Sequence, residues 1–141
     1  MADTFKILSQ TMPDDTSETL AYTVPSQELG EVTSSAASGA YTVSYEPKAV
    51  SRNVQTIVTS IIICNHHSGA LTYSIRLKEA AASGGDYADN DKEWLFKTTA
   101  ITNANTQILS LGLGLSGGNL IKVQSSLADK LSFTIMGIEV T

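Results

Sequence analysis

The sequence has one cysteine, three prolines and one tryptophan, and only 16% of its 141 residues are charged. Each shortage excludes something. A lone Cys64 rules out an internal disulfide, so stability must come from packing or from neighbouring subunits. Charged residues fall well below the roughly 25% of an ordinary soluble chain, and Ser, Thr and Asn fill the gap. Such a surface is polar but weakly charged, which favours contact with other protein. The 9 basic residues never cluster, and against 14 acidic ones they leave a formal charge of -5. That balance opposes any binding mode driven by phosphate neutralisation, so no nucleic-acid partner is expected. Long apolar runs are missing as well: the longest, Ile61 to Cys64, falls far short of the roughly 18 residues of a bilayer span. The opening Met-Ala-Asp-Thr-Phe-Lys lacks the basic-then-apolar layout of a secretory signal. A soluble chain made in the cytoplasm, with no membrane partner, is the expectation.

What is present is a period of two residues, with no sustained helical stripe. Leu71, Tyr73, Ile75 and Leu77 alternate with Thr72, Ser74, Arg76 and Lys78, the pattern of a strand with one face on a core and one on solvent. Leu131, Phe133 and Ile135 alternate with Ser132 and Thr134. After Met136-Gly137 the apolar phase slips to Ile138 and Val140, and a glycine at a phase slip predicts a β-bulge. Val54 to Asn65 is apolar on both faces, so it is expected to be central, covered by the opposing sheet on one side and by another subunit on the other. Further strands are expected at Phe5 to Leu8, Thr19 to Val24, Ala40 to Tyr45, Glu93 to Thr98, Thr106 to Leu111 and Leu120 to Gln124. Short strands separated by polar turns such as Met12-Pro13-Asp14-Asp15 and Val24-Pro25 point to sheets packed face to face. The expected fold is therefore all-β, a single-domain antiparallel β-sandwich over 1–141, jelly-roll-like, with about eight or nine strands. Two longer surface loops are expected, Ser26 to Gly39 and Ala80 to Asp91.

Four local patterns invite chemical readings. Gly112-Leu113-Gly114-Leu115-Ser116-Gly117 spells G-x-G-x-x-G, but a dinucleotide site needs a helix after it, and Asn119 to Val123 reads as a strand. A glycine-rich β-turn with two leucines plugging the sandwich end is expected instead, and no cofactor. Cys64-Asn65-His66-His67 gathers soft ligands, yet the chain holds one Cys and two His in all, too few for a structural zinc site. Neighbouring side chains on extended backbone also diverge; a turn touching water or a neighbouring subunit is expected. Asp86, Asp89, Asn90 and Asp91 crowd one loop without the spacing of a helix-flanked calcium loop. A solvated acidic loop is preferred there, with calcium left open. Trp94 and Phe96 are read as core residues on one strand face, with Leu95 on the other. No nucleophile stands in a recognisable triad context, so no enzyme is expected.

Tyr22-Thr23-Val24-Pro25, the strand from Thr56 to Asn65, Leu71 to Lys78, and a closing set made of Thr106 to Gly114, Asn119 to Ser125 and Leu131 to Val140 together resemble a group of small virion proteins of tailed bacteriophages, notably those of marine and cyanobacterial hosts. Such proteins are tail-associated or otherwise unassigned within the particle. The likeness spans most of residues 5 to 140 and rests on strand and turn patterns. It departs at about 28–53, which looks like an insertion with an additional strand, and in the longer acidic loop. The resemblance implies a non-enzymatic capsid- or tail-associated accessory or decoration subunit, located in the virion, whose partners are other virion proteins and copies of itself. The candidate interface residues are Phe5, Ile7, Leu8, Ile138, Val140, His66 and His67, with Phe5 to Leu8 and Ile138 to Val140 as strands offered to a neighbour. The alternative is a host-receptor or carbohydrate-binding module, binding a host surface glycan through loops at one end of the sandwich.

Overall fold

The computed structural model describes residues 4–25, 54–79 and 91–140. Among them eight strands form two four-stranded antiparallel sheets, and the only helical element is a single turn at Asp91–Glu93. The strands are β1 (Phe5–Thr11), β2 (Thr19–Thr23), β3 (Gln55–Asn65), β4 (Leu71–Lys78), β5 (Trp94–Ile101), β6 (Thr106–Ser116), β7 (Leu120–Ser125) and β8 (Leu131–Val140). One sheet runs β1-β8-β3-β6 and the other β2-β7-β4-β5. This interleaving is the double Greek key of a jelly roll. The expected all-β sandwich is thus the fold, while the candidate strand Ala40 to Tyr45, the insertion at 28–53, and most of both long loops lie outside the described residues.

Alternation builds the core. On β8, Leu131, Phe133 and Ile135 are fully buried; on β3, Val58, Ile61 and Ile63; on β7, Ile121 and Val123; on β4, Tyr73 and Ile75. The sheets meet around Tyr73, whose ring stands edge-on to Phe133 at 6.4 Å and tilted to Phe96 at 6.1 Å. Such contacts add to plain burial because ring edges and faces carry opposite partial charge. The two-sided strand β3 lies, as its composition required, between β8 and β6. The strands change sheet through turns of the expected chemistry. Pro13 accepts from the Asp129 amide at 2.9 Å, and Gly118, at a φ of 85°, makes the tight passage from β6 to β7.

Four local expectations need correction. The G-x-G-x-x-G stretch is no turn until Gly117. Strand β6 runs on to Ser116, with Leu113 and Leu115 facing inward and Gly112 and Gly114 outward, because the leucines supply the period the glycines lack. Trp94 and Phe96 do not share a face. Phe96 lies opposite the inward Ile75 but Trp94 lies opposite Arg76, since the register slips between those pairs. Trp94 therefore leaves the core and lies 4.0 Å from the Arg76 guanidinium carbon. The second face of β4 is not solvated: Ser74, Arg76 and Lys78 are all buried, at 7%, 6% and 1% exposure. Arg76 is held there by Glu18 at 2.6 Å and Glu93 at 3.4 Å, the pairing that a buried cation requires.

The fourth concerns the bulge. Strand β8 keeps its alternation unbroken through Gly137, whereas its two neighbours each carry an extra residue at that level, Leu8 on β1 and Thr59 on β3. Beyond β3, Leu111 and Gly112 of β6 together face Thr59, so the irregularity crosses the whole sheet. Gly137 is where it starts. A Cβ at this position would overlap the Ile57 carbonyl oxygen and come within 2.9 Å of Leu8 Cδ1, so only glycine lets the neighbouring strand bend in this far.

Candidate functional site

Because β8 keeps its phase, Ile138 and Val140 turn outward with Met136, and a band of apolar side chains covers the outside of the β1-β8-β3-β6 sheet. The pairing registers lay it out in rows. Phe5, Ile138, Ile57 and Gly114 are cross-strand neighbours, then Ile7, Met136, Ser60 and Ser110, then Gln10, Thr134, Ile62 and Ile108. Phe5 and Ile7 are each 53% exposed, Ile57 43% and Ile108 66%. No charged side chain stands in any of these rows. The outside of the other sheet carries Arg76, Lys78 and Lys122 on β4 and β7. Among the described residues this uncharged apolar face is the strongest candidate for a contact surface.

Of the residues singled out from the sequence, Phe5, Ile7, Ile138 and Val140 lie on this face, and Leu8 does not: as the extra residue of β1 it packs against the core. Phe5 to Leu8 belongs to a strand at the sheet edge. Ile138 to Val140 does not, because β8 is flanked by β1 and β3 and has no free edge to offer. Met136 and Ile108 were not singled out from the sequence, whereas Ile57, Ile62 and Cys64 belong to the second apolar face expected of β3. The signal was present in the two-sided apolar pattern of β3, which also fits a strand buried on both faces.

At the other side of β8, Glu139 points between the sheets. The Tyr22 hydroxyl donates to Glu139 Oε1 at 2.8 Å and lies 3.1 Å from the Thr56 hydroxyl, while Lys6 Nζ reaches Glu139 Oε2 at 2.5 Å. This ties β1, β2, β3 and β8 together at one point. The Lys6 hydrogen bond holds the Glu139 carboxyl below its usual range, against the opposing effect of burial. Burial pushes the Tyr22 phenol up to about 12. A depressed carboxyl contributes stability that is present above its unfolded pKa and lost as pH falls through the folded value; a raised phenol contributes stability present below pH 10 and lost as pH rises toward 12. Urea midpoints followed from pH 7 should therefore fall on both limbs. Glu139→Gln should flatten the acid limb below the usual carboxyl pKa of 4.5, and Tyr22→Phe the alkaline limb. Unchanged slopes in both variants would show that this cluster does not couple to folding.

His66 and His67 leave the end of β3 in different directions. His66 Nε2 lies 2.8 Å from the Ser132 hydroxyl on the exposed surface, whereas His67 Nδ1 accepts from the Gly69 amide at 3.0 Å. The turn is organised by the buried Asn65, whose amide group donates to the carbonyls of Gly69 and Thr102 while its oxygen accepts from the His67 amide. The His66 and Ser132 contact has the composition of a base and a nucleophile, but a triad needs a third group orienting the base. Among the described residues, this is the one hydrogen bond to its ring. Among the described residues, no three His, Cys, Asp or Glu side chains come together in a way that could hold a metal. Asp86, Asp89 and Asn90 lie outside the described residues, and Asp91 takes a hydrogen bond from Lys97 at 2.9 Å.

The sheet β2-β7-β4-β5 carries a second feature, an open groove of about 270 Å³ lined by Thr16, Thr72, Ser74, Thr98, Gln124, Ser125 and Ser126. Its lining is made of hydroxyls and one amide, without an ionised or aromatic side chain. Part of that polarity is spent internally: Ser74 accepts from the Thr98 amide and Ser126 from the Thr72 amide. Compared with protein-family models, with curated proteins and with solved structures, the chain finds no match.

Proposed function

We propose that this chain is a non-enzymatic structural subunit, a capsid- or tail-associated accessory protein of a bacteriophage particle, and that it assembles through the outer face of the β1-β8-β3-β6 sheet. The observation that carries the assembly role is the uncharged band of Phe5, Ile7, Ile57 and Ile108 on that face. Taking such a band out of water is favourable by roughly 25 cal/mol per Å² of apolar surface, and a subunit repeated by symmetry meets it with a matching surface every time. The particle assignment draws on the strand and turn resemblance and on the jelly-roll order, an architecture shared by viral capsid proteins and lectins.

Ile57→Lys places a charge at the centre of the band on an exposed side chain, so the fold should survive with unchanged circular dichroism and thermal midpoint. Wild-type protein should sediment as an assembly and Ile57→Lys as a much smaller species, and in gradients of particles the variant should stay at the top while the wild type bands with them. A wild type that never associates with itself or with particles would overturn the assignment.

The hydroxyl-lined groove favours a second reading, a module that binds a host surface glycan, since sugar hydroxyls exchange hydrogen bonds with Ser, Thr and Gln. A glycan array on the purified chain separates the two: specific binding lost in Thr72→Val supports the module, and silence supports the scaffold part.

A further inference from the structure

Each sheet of an open sandwich exposes two edges, and each edge is a row of unpaired backbone donors and acceptors. Among the described residues, three of the four edges carry known protections. Strand β2 has five residues and a register slip, β5 has two slips, a Thr98 at a φ of 51° and Lys97, and β1 has a bulge and Lys6. Strand β6 has eleven residues, TQILSLGLGLS, with neither a charge nor a proline. Among the described residues it pairs on one side only, with β3. Its single irregularity, at Leu111 and Gly112, leaves the in-and-out alternation of side chains intact from end to end.

We propose that β6 pairs antiparallel with β6 of a second copy, about a two-fold axis through Leu111 and normal to the sheet, so that the two sheets join into one of eight strands. The proposal extends the assembly role above from the face of this sheet to its edge. Three observations choose a second copy as the occupant. The order of residues is self-complementary about Leu111: Ile108 falls opposite the partner's Gly114, Ser110 opposite the partner's Gly112, and Leu109 opposite the partner's Leu113. Bulk thus meets space, since a Cβ built at Gly112 or Gly114 has nothing within 4 Å while Ile108 is 66% exposed. A two-fold of this kind also keeps inward side chains inward. Leu109, Leu111 and Leu113 face the core yet are only partly buried, and a strand added at the edge would cover them. Finally, a two-fold sets every charge near its own copy, which destabilises paired strands; β6 has no charge to repel.

The test uses the full chain in the Ile57→Lys background, which removes association through the face, and compares it with the same chain carrying Ser110→Lys. Sedimentation of the first should give twice the 14.9 kDa chain mass and of the second the single chain mass. The register is tested by mixing Ser110→Cys protein with Gly112→Cys protein, both with Cys64→Ser. A disulfide-linked pair should form between the two kinds faster than within either kind. A monomer in the Ile57→Lys background would overturn the edge pairing while leaving the face assembly standing, as would a dimer indifferent to Ser110→Lys or one that crosslinks without preference. A monomer in which the β6 amides not bonded to β3 resist hydrogen exchange would show the edge covered by the chain's own residues, and that too would overturn it. If Ile57→Lys changes nothing while Ser110→Lys yields monomers and the Ser110→Cys and Gly112→Cys proteins crosslink to each other with preference, the edge holds and the face role fails.

Discussion

Phe133→Ala should cost about 3–5 kcal/mol of folding free energy, read as a fall in the urea midpoint at unchanged slope. Phe133 is fully buried on β8 and meets Tyr73 of the opposite sheet edge-on at 6.4 Å, so it spans the gap between the layers. Truncation removes the transfer free energy of the ring and leaves a cavity that the facing Tyr73 and its neighbours on two stiff sheets cannot collapse into. Phe133→Leu, which refills most of the space, should recover more than half of the loss. A cost under about 1 kcal/mol for the alanine variant would mean that the two sheets do not pack through this ring.

Gly137→Ala should be nearly as damaging although it adds a single carbon. The added methyl would overlap the Ile57 carbonyl oxygen, a backbone atom of the adjoining strand, and press on Leu8. A side chain could swing aside; a paired backbone cannot without parting β8 from β3. We expect a loss at or above the upper end of the ~1–3 kcal/mol typical of overpacking, with a thermal midpoint lower by roughly 10 °C. By contrast Gly112→Ala and Gly114→Ala, where the same carbon meets nothing within 4 Å, should leave folding nearly unaltered. Equal effects at the three glycines would refute the account of Gly137 as the point where β3 bends inward.

The contrast between those glycines shows how far local pattern reaches. Alternation at Leu71 to Leu77 and Leu131 to Ile135, and the two-sided run on β3, follow from the pleat of an extended chain, which throws successive side chains to opposite faces whatever their neighbours do. All-β character, most of the strands and the central place of β3 were therefore legible in the order of residues alone. The slip at Gly137 was legible as an irregularity but not as to its owner, because a phase change on one strand looks the same whether that strand bulges or its partners do. The apolar outer face was half legible. Phe5 and Ile7 could be read as strand residues offered to a neighbour, whereas Ile57 and Ile108 became surface residues only once sheet order decided which of their faces met the core.

Residue order by itself thus determined the period, the turn chemistry, the lack of an internal disulfide and the weakly charged composition, since each is read from residue types and their near neighbours. Only tertiary structure decided that strands one, eight, three and six share a sheet, that Trp94 lies outside on Arg76 and Glu139 inside on Tyr22, and that, among the described residues, the uncharged strand β6 pairs on one side only. Those outcomes depend on pairings between segments up to 133 positions apart. Such pairings are selected by the collective burial of the core, and no local signal encodes them.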